Sequence, residues 1–206
     1  MLTYRSASFA VSFLALAAFP VTAAPREQPV TESTQTRPAG DPTVERSTVM
    51  DDVSRLQACE EIKLLKARYT RGIDTKDWGL VSDVLADDVV ADFEGSATDP
   101  GTGVNFAPDA TGEVIKGREN FVAIEKKSLD GIVTAHQVYA PEIELLSETT
   151  ARAVWGMHDE LRFPDGAPIR LFAGFGHYHE TYERVDGKWK IKTLRLTRLR
   201  VDVTKP

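Results

Sequence analysis

The chain is expected to fold as one α+β domain, an antiparallel sheet with helices packed on one of its faces. Three observations predict this. Helical periodicity is confined to the stretch before about residue 128, and strand-like alternation fills almost everything after it. Turn signals divide the later part into long strands. Helices first and then a run of strands is the order of an α+β fold, and roughly 155 residues are enough for one core.

The elements follow in order. Asp51 or Asp52 caps a helix running to about Gly72, with Val53, Leu56, Ile62, Leu65 and Tyr69 as its apolar face at three- and four-residue steps. After the turn Asp74-Thr75-Lys76-Asp77, a second helix is expected from Trp78 to Leu85, and then a strand over Val89–Phe93. Gly95 to Gly112 is rich in Gly, Pro, Asp and Thr, and a loop of that length in a compact domain is usually functional or disordered. Ile115 to Phe121 leads into a third helix ending near Ser128. Strands are then expected over Ile132–Val138, Glu142–Leu146, Ala151–Phe163, Ile169–Glu183 and Trp189–Val203. The turns between them are Ala140-Pro141, Ser147-Glu148, Pro164-Asp165-Gly166 and Asp186-Gly187.

The first 23 residues read as a cleavable export signal. One positive side chain (Arg5) precedes an apolar run from Ala7 to about Phe19, and small residues stand at the cleavage positions Val21 and Ala23. The run is shorter than the ~20 residues that cross a bilayer, and Pro20 closes it, so no stable membrane insertion is expected. Residues 24–50 are rich in Pro, Thr, Glu, Ser and Gln and nearly devoid of large apolar side chains. They read as a disordered tether. The domain proper is therefore residues 51–203. Cys59 is the only cysteine, so no internal disulfide can form, and its place in a helical pattern marks it as a small packed residue. The formal charge is −6. An acidic chain without a dense basic patch argues against a nucleic-acid partner.

Several local signatures recur together. They are Glu61 to Tyr69, Asp74 to Trp78, Ile115 to Glu119, Thr134-Ala135-His136, Thr150 to Ala153, Gly176 to Tyr182, and Asp186 to Ile191. In this order and spacing the chain resembles the SnoaL-like branch of the nuclear-transport-factor-2-like superfamily, over essentially all of residues 51–203. The resemblance implies a cone-shaped, strongly curved sheet with about three helices closing one end around an apolar pocket. It also implies chemistry without metal or other cofactor, and a homodimer or homotrimer. Its members include dehydratases, isomerases, cyclases and non-catalytic binding proteins, so chemistry has to be argued from the pocket.

In the dehydratases of that branch a Tyr and an Asp at the spacing of Tyr69 and Asp74 project into the pocket, with the Asp paired to a sheet His that His136 matches. In such a pair the carboxylate fixes the imidazole tautomer, so the other ring nitrogen can take a proton. Tyr69 would then donate a hydrogen bond to a substrate oxygen.

Strand parity puts Ala151, Ala153, Trp155, Met157 and Asp159 on one face. A carboxylate ending an apolar stripe is costly to bury alone, which makes Asp159 a candidate pocket acid. His177 and His179 share one strand face, while Tyr178, Glu180 and Tyr182 share the other. Tyr178 is expected as a pocket wall, one of the two histidines as a rim or interface residue, and Glu180 as a partner of Arg68. Trp78, Phe93, Phe106, Trp155, Tyr178 and His177 are the candidate substrate-binding residues. Phe106, in the long loop, is placed to close over an apolar ligand. The basic residues Arg195, Arg198 and Arg200 read as a solvated face, an oligomer contact or an anion anchor.

The function expected is a cofactor-free lyase or isomerase acting on a hydrophobic, hydroxylated aromatic or polycyclic small molecule, by dehydration or retro-aldol cleavage. His136 is the base, Asp74 its orienting partner, Tyr69 the oxygen clamp and Asp159 the acid. One alternative is a non-catalytic exported binding protein of the same fold. Another is a metal-dependent enzyme using His177 and His179 with His136 and Asp159. Export places the ligand in the periplasm or outside the cell, where nicotinamide cofactors are scarce.

Overall fold

The computed structural model describes residues 50–107 and 114–206. Residues 1–49, expected to be an export signal and most of a tether, lie outside the described residues, together with residues 108–113 of the long loop. The elements are α1 (Asp52–Thr75), α2 (Trp78–Val84), β1 (Leu85–Asp92), β2 (Val114–Lys116), α3 (Arg118–Ser128), β3 (Val133–Leu145), β4 (Thr150–Arg162), β5 (Leu171–Val185) and β6 (Lys188–Thr204). The fold is α+β, as expected, with three helices and one curved sheet of six strands among the described residues.

The Asp51 carboxylate accepts the Ser54 N–H at 2.8 Å and so caps α1. The buried face of α1 runs through Ala58, Ile62, Leu65, Lys66, Tyr69 and Ile73. Val53 and Leu56, expected in that stripe, are 63% and 69% exposed, so the buried face of the helix begins only at Ala58. Lys76 ends the helix in the left-handed conformation, its N–H returning to the carbonyls of Gly72 and Ile73.

The strand order is β2-β1-β6-β5-β4-β3. All neighbours are antiparallel except β1 and β6, which run parallel. That pair makes the sheet mixed where a purely antiparallel one was expected. The path from β1 to β6 passes through α3 and the whole β3–β6 meander, and so long a crossover permits a parallel partner.

Ala140-Pro141 is not a turn between two strands but lies within the single strand β3, at a register shift between Val138 and Pro141. Proline has no N–H for the ladder, and β3 is an edge strand, where a bulge absorbs the defect and bends the sheet.

The core lies between the helices and the inner face of the sheet. Ile62, Leu65 and Tyr69 of α1, Val81 and Val84 of α2, and Phe121 of α3 pack with Ala151, Ala153, Trp155 and Met157 of β4 and with Tyr178 and Tyr182 of β5. The β4 stripe read from parity is buried as a set, Asp159 included. The charged pair Lys66 and Glu180 sits within this layer, with N–O at 2.5 Å and both side chains wholly inaccessible. Arg68, the expected partner of Glu180, is exposed. Lys66 is one turn beyond Ile62 and so shares its buried face, whereas Arg68 is rotated off it. The second oxygen of Glu180 accepts the Tyr182 hydroxyl, and Tyr182 in turn accepts the Trp155 indole N–H at 2.8 Å.

Candidate active site

A cavity of about 920 Å³ opens between the helices and the inner sheet face. Ile73, Ile115, Ile124, Leu129, Leu161 and Leu196 supply apolar wall, and Tyr69, Glu125, His136, Asp159, Tyr178 and Arg198 the polar groups. Loop residues 94–98, with Asn105 and Ala107, complete the lining. Asp99 ties this loop to β6, its carboxylate accepting the Val201 N–H at 2.9 Å and the Thr102 N–H at 2.8 Å.

Asp74 lies in the last turn of α1, where a negative charge opposes the helix dipole. Three hydrogen bonds compensate. Its carboxylate accepts the His136 backbone N–H at 2.8 Å, the His136 ring at Nδ1 at 2.6 Å and the Thr134 hydroxyl at 2.9 Å. Burial alone would raise this carboxyl, but the bonds from the His136 ring and backbone and from Thr134, with the His136 charge, outweigh it. Asp74 therefore sits below the ordinary carboxylate value. Lys76 extends the network, its ammonium donating to the Thr134 hydroxyl at 3.0 Å. With Nδ1 engaged by Asp74, Nε2 of His136 is the nitrogen left for the cavity that the residue lines.

Tyr69 is 3% exposed and reaches the cavity from α1. Burial first, then the neighbouring Tyr178 and the carboxylates of Glu125, Glu180 and Asp74, push its phenol well above its ordinary range. It is a hydrogen-bond donor at any physiological pH. Tyr178 lines the same cavity, and the Lys66 ammonium lies under both rings, 4.5 Å from the Tyr69 centroid and 3.5 Å from that of Tyr178.

The β3–β4 register sets Asp159 directly opposite His136, so both face the cavity. The acid role expected of Asp159 does not fit its partners. Arg198 grips both of its oxygens in a bidentate pair at 2.9 and 2.8 Å, with both side chains about 5% exposed or less. Arg198 also donates from Nε to the Ser96 carbonyl at 2.7 Å and from Nη1 to the Met157 sulfur. Of five guanidinium N–H groups this leaves one, on Nη2, uncommitted among the described residues. Gly174 makes room for the pair, because a Cβ there would collide with the Arg198 guanidinium and the Asp159 carboxylate. Arg195 and Arg200, at 65% and 59% side-chain exposure, do face solvent. Arg198 and Arg200 share the parity of Leu194 and Leu196, and only the register shift of the β5–β6 ladder between them turns Arg200 outward and leaves Arg198 facing in.

Of the expected substrate-binding residues, Phe93 and Tyr178 line the cavity. The other four do not. Trp155 is sealed in the core by its bond to Tyr182. Trp78 borders a separate, smaller cleft with Lys76 and Ile132. Phe106 is not one of the lining residues, while its neighbours Asn105 and Ala107 are. His177 belongs to the outer strand face with His179, whose ring bonds Thr197. That parity also separates the two histidines from His136 and Asp159 by the thickness of the sheet, so the four do not converge as metal ligands.

Glu125 was not anticipated. It lies one turn after Phe121 on the inward face of α3, and a carboxylate on that face was the available signal.

The sequence profile of the SnoaL-like domain matches residues 54–195. The probable cyclase FGR4 of Gibberella zeae is 24% identical over 146 residues, which cover 69% of this chain and 92% of the cyclase. Among solved structures, a type 2 hexachlorocyclohexane dehydrochlorinase (LinA) superposes with a TM-score of 0.59 at 20% identity, over 75% of this chain and 93% of that one. A scytalone dehydratase-like protein of Novosphingobium aromaticivorans gives a TM-score of 0.59 at 17% identity, over 75% and 92%. At these identities the structures establish the fold.

Proposed function

The chain belongs to the SnoaL-like domain family, and from that membership we propose that it is a cofactor-free lyase or isomerase. Its substrate would be a hydrophobic, hydroxylated aromatic or polycyclic small molecule, and its simplest reaction the elimination of water. The observation that carries this reading is the His136–Asp74 pair on the wall of a half-apolar cavity, with the Tyr69 hydroxyl in the same cavity.

The roles follow from the hydrogen bonds. Nδ1–H of neutral His136 donates to Asp74, so Nε2 carries the lone pair and removes a proton from carbon beside a carbonyl. Tyr69, kept protonated by burial, donates to that carbonyl oxygen as it gains negative charge. The free Nη2 hydrogen of Arg198 offers a second donor to a substrate oxygen. Retro-aldol cleavage uses the same groups, with the base acting on the hydroxyl proton instead.

The test is incubation of the protein with the aldol adduct of acetone and benzaldehyde and with larger aromatic β-hydroxy ketones. Enone formation, read by its ultraviolet absorbance, supports dehydration, and release of the aldehyde supports retro-aldol cleavage. Saturable binding with neither product, and no deuterium exchange beside the carbonyl, would replace catalysis by ligand carriage.

Export belongs to the same proposal and rests on residues 1–23. Expressed in a Gram-negative host, the protein is expected outside the cytoplasm with Ala24 as its first residue. Mass spectrometry that finds the intact chain in the cytoplasm would overturn this.

A further inference from the structure

Elimination of water needs a group that protonates the departing hydroxyl, and the Arg198 clamp removes Asp159 from that role. Two other carboxyls line the cavity: Glu94, exposed to solvent in the loop after β1, and Glu125, on a helix. Glu125 stands on α3 beside Ile124 and Ser128, across from the sheet that carries His136. Its side chain has no hydrogen bond and no ion pair among the described residues, unlike Asp74, Asp159 and Glu180.

We propose that Glu125 is the catalytic acid of this site, delivering its carboxyl proton to the leaving hydroxyl while His136 removes the carbon-bound proton. This rests on the lyase reading above and adds to it a residue and a direction of proton flow. As Nε2 of His136 takes the proton, the C–H pair becomes the new C=C bond. The C–O pair leaves with oxygen, which takes the Glu125 proton and departs as water. His136 is then cationic and Glu125 anionic, and one proton passed between them through the cavity restores both.

The surroundings suit a carboxyl that holds its proton. Burial raises Glu125 from the ordinary 4.5 to about 7, against the opposing pull of His136 on β3 and Lys76 at the end of α1. Of the other titratable groups lining the cavity, Tyr69 on α1 and Tyr178 on β5 are neutral phenols, and Asp159 on β4 and Arg198 on β6 are paired with each other. Glu94 is exposed in the loop after β1, and Lys127 lies on its own helix at the cavity edge.

The experiment compares Glu125→Gln with wild type on two probes, the benzaldehyde–acetone aldol adduct and its O-acetyl ester, with enone formation as the readout. Acetate leaves without a proton. The expected result is a loss of about a hundredfold or more on the alcohol, shrinking to less than about tenfold on the ester. The alkaline limb of the pH profile on the alcohol, set near pH 7 in wild type, should disappear in the variant. Equal losses on both probes would make Glu125 structural and overturn the proposal. If wild type converts neither probe, the lyase reading falls, and the acid role with it.

A second readout needs no turnover. A folded-state value above the unfolded one means the native chain keeps a proton that the unfolded chain has lost between 4.5 and about 7. Stability attributable to this group therefore falls as pH rises through that window. Glu125→Gln should gain melting temperature relative to wild type across the window and level off above it. A difference that does not vary with pH would overturn the proposal.

Discussion

Asp74→Asn is expected to lower kcat by roughly two to four orders of magnitude while the domain remains folded. The carboxylate makes three bonds, to the ring and the backbone of His136 and to Thr134. Asparagine keeps one carbonyl oxygen, which can still accept the backbone N–H. Its amide then confronts a second donor at Nδ1, which favours the tautomer with the proton on Nε2, and that nitrogen can no longer act as a base. The loss should appear in kcat more than in KM, because Asp74 does not itself line the cavity. Some stability goes too. The depressed Asp74 carboxyl contributes stabilisation above its unfolded value that is lost as pH falls through the folded one, and asparagine removes it. Far-ultraviolet circular dichroism and single-turnover kinetics together check both halves. A kcat within tenfold of wild type would show that the pair does not set the tautomer in the reactive state.

Lys66→Met is expected to destabilise the domain by about 3–5 kcal/mol, seen as a fall in melting temperature of roughly 10 °C. Among the described residues, Lys66 and Glu180 form the ion pair whose two side chains are both wholly inaccessible to water. Burial pulls the Lys66 ammonium below its ordinary value and Glu180 holds it up, so the pair survives only as a pair. Methionine matches the volume but leaves the Glu180 carboxylate uncompensated beside two tyrosines. It also removes the cation beneath Tyr69 and Tyr178, which should loosen two cavity-lining rings. The double variant Lys66→Met with Glu180→Gln should recover much of the loss. A neutral amide can still accept the Tyr182 hydroxyl, and no lone charge remains. Urea unfolding of the two single variants and the double closes the cycle. Additive losses would show that the two groups do not depend on each other.

These expectations draw on residues that differ in how far they were legible beforehand. Tyr69, Asp74 and His136 could be named from one chain because their spacing resembles that of a known family. In the structure Tyr69 and His136 line one cavity, while Asp74, expected to project into it, is held behind His136 by its bond to Nδ1. The β4 stripe from Ala151 to Asp159 was legible from alternation alone, since a strand turns every second side chain to the same face. By the same rule Tyr178 parted from His177 and His179, although parity could not say which set looked inward.

Other features were beyond local pattern. Arg198 was one of three arginines in a strand whose phase shifts along its length, and only its opposite number on β4 shows why it is buried. Asp159 read as an acid because its counter-ion is 39 residues away in sequence. Lys66 is one of many charged residues on a helix of mixed charge, and its partner lies 114 residues further on.

The division has a physical origin. Periodicity is a property of the covalent chain. Segment type, the shared face of the β4 stripe and a cap at Asp51 or Asp52 were therefore determined by sequence alone, and the expected export signal and α+β order rest on the same kind of evidence. Which charge meets which is a property of register and closure. Strand register and the seating of α1 and α3 on the sheet decide that Asp159 is clamped, that Glu180 is matched by Lys66 and that Glu125 lines the cavity unpaired among the described residues. In a low-dielectric interior those pairings, rather than residue type, decide which carboxyl holds a proton.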